Sequence, residues 1–126
     1  MSHTTIWTDE SVVWMVEGVL TSREIMAFNE EAAEHPQFDQ CKYFIWDTTL
    51  VTEYVKDIDD SEFAATYSAG LVMYNRCLLG AIIAVHPEVQ MHANEYMAAM
   101  EVMGIPWELK MFTNLSDGQQ WIDSKL

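Results

Sequence analysis

"CLLGAIIAV", residues 77–85, runs nine positions without a charged or strongly hydrogen-bonding side chain. A strand with one wet face alternates apolar and polar residues. A strand that is apolar at every position needs cover on both faces, as in a parallel sheet packed against helices. The run is too short to span a bilayer. His86-Pro87 punctuates it, and Pro87 suits the first turn of a helix. Val89, Ala93, Tyr96, Met97, Met100 and Met103 then recur on one side of that helix. Gly104 fits its C-cap, with Pro106 just beyond. "ELKMFTN" (108–114) reads as the last strand and "SDGQQWIDSKL" (116–126) as the last helix. Ser116 and Gln119 have capping-box spacing, and Trp121 and Ile122 can dock the helix on a sheet.

Upstream, "CKYFIWDTT" (41–49) is a short apolar run stopped by Asp47 and reads as a buried strand. Residues 59–76 place Phe63, Tyr67, Gly70, Leu71 and Tyr74 at helical period. "TTIW" and "SVVWMVEG" flank the polar turn "TDES", which predicts a hairpin. Thr21 and Glu24 form a capping box before a helix whose apolar face is Ile25, Phe28 and Ala32. His35-Pro36 ends that helix, because a residue before proline avoids the α region. The order is ββαβαβαβα. It predicts a single α/β domain over residues 1–126, with a five-stranded, mostly parallel mixed sheet and about four helices. The hairpin adds an antiparallel strand at or near one edge.

The 126 residues suffice for one hydrophobic core, and half of them are apolar. The formal net charge of −14 repels nucleic acid and anionic lipid headgroups. Arg23, Lys42, Lys56, Arg76, Lys110 and Lys125 are scattered and form no basic strip. A basic protein partner or a neutral ligand remains open. Cys41 and Cys77 lack CxxC spacing and read as reduced structural thiols, with one disulfide as the alternative. No basic region followed by an apolar run opens the chain, so a cytoplasmic protein without stable membrane insertion is expected.

Four stretches, taken in order, resemble the STAS superfamily, and most closely its SpoIIAA-like, or STAS/SEC14-like, branch. "VEGVLTSREI" is a strand turning through Gly-x-Leu-Thr into a helix. "YFIWDTT" resembles the strand ending in Asp, "GAIIAV" the hydrophobic fourth strand, and "MFTNLSDGQQWI" the Phe-strand with its following helix. The resemblance implies a regulatory module that docks a kinase or an anti-sigma factor. In that family a phosphorylatable Ser or Thr begins the helix after the Asp-ended strand, and Ser61 lies near that place. The family's Asp-Ser-Ser-Gly-like run is replaced here by "DDSEF". The SEC14-like side implies that a lipid or another apolar molecule binds.

Several residues carry candidate chemistry. Around Ser61, the carboxylates of Asp57, Asp59, Asp60 and Glu62 would oppose a phosphate by about 1.5–2 kcal/mol. A helix N-terminus would offset about 0.3–1 kcal/mol of this. Capping by Asp59 and Glu62 competes with the phosphoswitch reading, and a metal loop is the weaker third. Glu88, His92 and Glu95 share a helix face at i, i+4, i+7 and read as an exposed polar face rather than a metal site. Asp47 and His86 both fall at the C-terminal edge of the sheet, where open α/β folds bind ligands. There they either do proton chemistry or bond loop backbone. Met91, Met97, Met100 and Met103 crowd one helix beside Tyr96, and they either fill an ordinary core or line an apolar site.

Three functions follow. The first is a non-catalytic interaction module with Asp47, Thr48, Asp60 and Ser61 at its docking or regulatory surface, needing no cofactor or metal. The second is a carrier or sensor of a small apolar ligand held by Tyr96, Met97 and Met100. The third is an enzyme using His86 and Asp47.

Overall fold

The structure, a computed structural model, describes residues 2–56 and 78–126. The predicted helix over residues 59–76, together with Asp60, Ser61 and Cys77, lies outside the described residues. The elements in chain order are β1 (Ser2–Trp7), β2 (Ser11–Thr21), α1 (Ser22–Glu34), a 3-10 turn (Phe38–Gln40), β3 (Tyr43–Val55), β4 (Leu79–Ile83), α2 (Pro87–Val102), β5 (Glu108–Phe112) and α3 (Leu115–Lys125). The strands form one five-stranded sheet in the order β1-β2-β3-β4-β5. β1 runs antiparallel to β2, and the remaining pairs are parallel. The mixed, mostly parallel α/β fold expected from the sequence is therefore present. Among the described residues there are three α-helices rather than about four.

Local chemistry sets the boundaries. The hairpin closes through Thr8, whose backbone N–H donates to Ser11 O at 2.9 Å and whose hydroxyl meets that of Ser11 at 2.7 Å. α1 starts where Thr21 Oγ1 accepts the Glu24 backbone N–H at 3.2 Å and donates to the Glu24 carboxylate at 3.0 Å. It stops at His35, whose extended backbone precedes Pro36. α2 has Pro87 at its first position. It ends in a Schellman motif, with Gly104 N–H bonded to Glu101 O at 3.0 Å and Ile105 N–H to Met100 O at 3.1 Å. Gly104 has φ +69°, a conformation in which a Cβ would be strained. The cap of α3 departs from expectation. Asn114, not Ser116, accepts the Asp117 N–H at 2.8 Å and donates to the Asp117 carboxylate at 2.9 Å. Ser116 is already the second residue of the helix, so the capping position falls to the Asn114 amide, which accepts with its oxygen and donates with its nitrogen.

The sheet separates two cores. On one face α1 and α2 cover Val12, Trp14, Val16, Phe44, Ile82 and their neighbours. On the other, α3 covers Ile45, Ala81 and Ile83, with Ile122 fully buried among them. β4 supplies both cores, Ile82 to the first and Ala81 and Ile83 to the second, which accounts for its unbroken apolar run. The methionines divide differently from the expected stripe. Met100 is buried and Met97 half-buried, but Met91 and Met103 are exposed, at 60% and 41%. Met91 lies off the stripe Val89–Ala93–Tyr96–Met100, whereas Met103 keeps its spacing but stands past Val102, the last helical residue.

β3 is the largest correction. Asp47 does not end it; the strand continues eight residues to Val55. Only Tyr43 to Asp47 pair with β4, so beyond Asp47 β3 pairs with β2 alone among the described strands. The register with β2 slips twice. Met15 pairs with Asp47 but Glu17 with Leu50, and Gly18 pairs with Val51 but Val19 with Glu53. Each slip inserts one extra residue into β3. Phe44, Thr48, Val51 and Tyr54 are therefore all buried, although their spacing changes from even to threefold.

Candidate functional site

The end of β4 and the middle of β3 beside it carry Asp47, Thr48 and His86. Asp47 is opposite Ile83, the last residue of β4. Its carboxylate accepts the Thr49 backbone N–H at 3.1 Å and the Thr49 hydroxyl at 2.5 Å. Thr48 is buried, and its hydroxyl donates to Ile83 O at 2.6 Å, tying β3 to β4. It braces the edge from inside and presents nothing to a partner. His86 is the N-cap of α2, its Nδ1 accepting the Glu88 backbone N–H at 3.2 Å. Asp47 and His86 are thus each committed to a neighbouring backbone N–H, the arrangement of a turn rather than of a proton-transfer pair.

His92 overturns the reading of an exposed polar face on α2. It is buried and shares a 3.1 Å hydrogen bond between Nδ1 and the Tyr54 hydroxyl. The extension of β3 beyond Asp47 brings Tyr54 there. Glu88 and Glu95 remain exposed. With Lys56 and Met91 they line an open groove over the Tyr54–His92 pair. No group of three His, Cys, Asp or Glu residues among the described residues is placed to hold a metal ion.

Between the sheet and the α1/α2 side lies an aromatic interior. Trp46 on β3 stacks on Tyr96 of α2, with centroids 6.5 Å apart and planes at 13°. It also meets Phe28 of α1 edge-on at 6.0 Å and Trp14 of β2 at 6.1 Å. Two narrow cavities, about 20 and 10 Å³, adjoin these rings and share Trp46, Ile82 and Tyr96 in their linings. The larger is also bordered by Trp14 and Asn29. The indole nitrogens of Trp14 and Trp46 and the side-chain nitrogen of Asn29 are buried without a hydrogen-bond partner among the described residues. The expected apolar-site residues divide here: Tyr96 lines both cavities, whereas Met97 and Met100 line neither among the described residues. The tryptophans, which carry the polar atoms, were absent from that expectation. Their signal was the even spacing that puts Trp14 with Val12 and Trp46 with Phe44 on one sheet face.

Cys41 is a buried thiol, in line with the reduced reading. Burial, helped by the charge of Asp39, pushes its pKa from 9.0 up to about 11. No helix among the described residues is long and apolar enough to cross a membrane.

No protein-family model matches the chain, and comparison with curated proteins finds no significant match. Solved structures do resemble it. The anti-sigma factor antagonist SpoIIAA in its unphosphorylated form aligns with a TM-score of 0.54 at 11% identity, over 98% of this chain and 97% of that one. The Bacillus cell fate determinant SpoIIAA in its phosphorylated form aligns with a TM-score of 0.55 at 12% identity, over 99% and 100%. The chain has the SpoIIAA-like, or STAS-like, fold.

Proposed function

We propose that the protein is a non-catalytic regulatory module that works by docking another protein. The observation that carries this reading is the likeness to SpoIIAA, an anti-sigma factor antagonist, along nearly the whole of both chains. The acid excess supplies the partner's chemistry: a net charge of −14 selects a basic surface. Its docking edge is the place where β4 ends beside Asp47 of β3, with Asp47 as its described acid; the regulatory role is assigned to Asp60 and Ser61. Thr48 holds that edge rather than touching the partner. A cytoplasmic single domain over residues 1–126 fits the same reading.

The test is capture of partners by the wild type and by Asp47→Asn and Asp60→Asn variants over a salt series. A partner held at low ionic strength should be lost as salt rises, and should be weakened by each substitution. Capture indifferent to both salt and the substitutions would overturn the reading.

A second reading, a carrier or sensor of a small apolar ligand, is favoured by the aromatic cavities on the α1/α2 side. Native mass spectrometry of the purified protein would reveal a co-purifying ligand as a defined mass increment.

A further inference from the structure

The two faces of the sheet are covered unequally. Along β2, Val12, Trp14 and Val16 point into the α1/α2 core, so Val13, Met15 and Glu17 belong to the opposite face. Strand pairing carries that face to both neighbours. Thr4 and Ile6 of β1 stand opposite Met15 and Val13, and Asp47 and Leu50 of β3 stand opposite Met15 and Glu17. Glu53 joins them opposite Val19. α3 is the helix on this side, and it packs on β4, β5 and the start of β3 at Ile45. Beside it Ile6, Met15, Val19 and Leu50 stay exposed, Ile6 at 44% and Leu50 at 64%. An open groove of about 190 Å³ borders Thr4, Met15, Glu17 and Leu50. Single exposed apolar residues need no explanation, but four grouped on one sheet face mark a contact surface.

The charge on this face narrows the occupant. β1, β2 and β3 hold no Lys or Arg, whereas Glu17, Asp47 and Glu53 stand among the apolar side chains. A second copy of the chain would bring these carboxylates against their own kind, and anionic lipid headgroups would be repelled as well. Three adjacent strands span about 10 Å, close to the diameter of an α-helix. A helix is also what covers the rest of this sheet face, α3 being the example. We propose that the face formed by Ile6, Met15, Val19 and Leu50 docks a basic amphipathic helix of a partner protein. Its apolar stripe lies on these side chains, and its Lys or Arg residues reach Asp47 and Glu53. The inference rests on the docking reading above and gives that basic partner a shape and a place.

The probes are two synthetic peptides of about 18 residues and identical Leu and Lys composition. One repeats Leu at helical period; the other is scrambled so that no side of it is apolar. Each is titrated at low salt into the ¹⁵N-labelled full chain, and the backbone amide signals are followed. The amphipathic peptide should bind about tenfold more tightly than the scramble. Its shifts should fall at Ile6, Met15 and Leu50 and spare Ala93 on the α1/α2 side. Leu50→Thr and Ile6→Thr keep a strand-favouring residue at exposed positions, and each should weaken binding about three- to tenfold. If Ile6→Thr disturbs the hairpin, Leu50→Thr gives the same comparison. Asp47→Asn and Glu53→Gln should weaken binding at low salt and much less at high salt. Equal binding of both peptides, sensitive to salt and to the acid substitutions but not to Leu50→Thr, would overturn the inference and leave the basic docking partner standing. Binding indifferent to salt and to both acid substitutions would overturn the basic partner in both. No saturable binding of either peptide would overturn the inference, while the capture experiment above decides the docking reading separately.

Discussion

The ring of Phe44 fills the space that a side chain at Gly80 would need. The two residues are opposite each other in the β3–β4 pairing, and a Cβ on Gly80 would overlap Phe44 Cζ and, from β5, Leu109 Cδ2. Phe44 is rigidly placed between Trp14 and Trp107, at 6.2 and 6.3 Å, so it cannot swing aside cheaply.

Gly80→Ala is therefore expected to destabilise the fold by about 1–3 kcal/mol, the usual cost of overpacking. That exceeds the gain from replacing a strand glycine by alanine. Urea unfolding checks it: the midpoint should fall while the slope stays the same.

Thr48→Val keeps the volume of a buried side chain but removes the hydroxyl that donates to Ile83 O. A loss of about 1–2 kcal/mol is expected. Because the substitution is nearly isosteric, the loss reports the hydrogen bond rather than a cavity. An unchanged midpoint would mean that the tie between β3 and β4 carries no stability.

Tyr54→Phe removes the hydroxyl that meets His92 Nδ1. About 1 kcal/mol should be lost, and the ¹⁵N shifts of the His92 ring should move. A stability change without a change in the His92 signals would assign the effect to packing alone.

Cys41 supplies a pH prediction. Its folded-state pKa of about 11 lies above the ordinary 9.0, so the native state holds the thiol proton longer than the unfolded chain. The stability it contributes is intact below pH 9 and is lost as pH rises toward 11. Mass spectrometry after brief iodoacetamide treatment near pH 8 should find the Cys41 peptide unmodified in the native protein and modified in urea.

Much of the fold was legible because one signal dominated at each place. The unbroken run of β4, the capping box of Thr21 and Glu24, and the Pro87 and Gly104 boundaries all mark what the structure contains. The far half of β3 was illegible because "TTLVTEYV" (48–55) alternates neither at two nor at 3.6. Its buried residues fall three apart, a period that belongs to two successive bulges and not to any regular element. His92 was misread because Glu88 and Glu95 flank it at helical spacing. Its distances of three from Val89 and four from Tyr96 put it equally on the apolar stripe, and burial followed the stripe. The cavity donors escaped notice because tryptophan in a strand announces bulk, whereas an unpaired indole N–H depends on what three other elements place beside it.

The two slips in β3 also act as slack. Each extra residue is absorbed where it stands, so the residues beyond it keep their partners on β2 and Tyr54 stays opposite Leu20, on the buried side of the sheet. Removing one residue near Thr49 or near Thr52 would heal a bulge and leave Tyr54 against His92. Removing one from the regular stretch between Tyr43 and Asp47 would instead shift the pairing and turn core side chains outward. Single deletions should thus be forgiven at the two slips and rejected in the stretch before them, a grammar that point substitutions would never reveal.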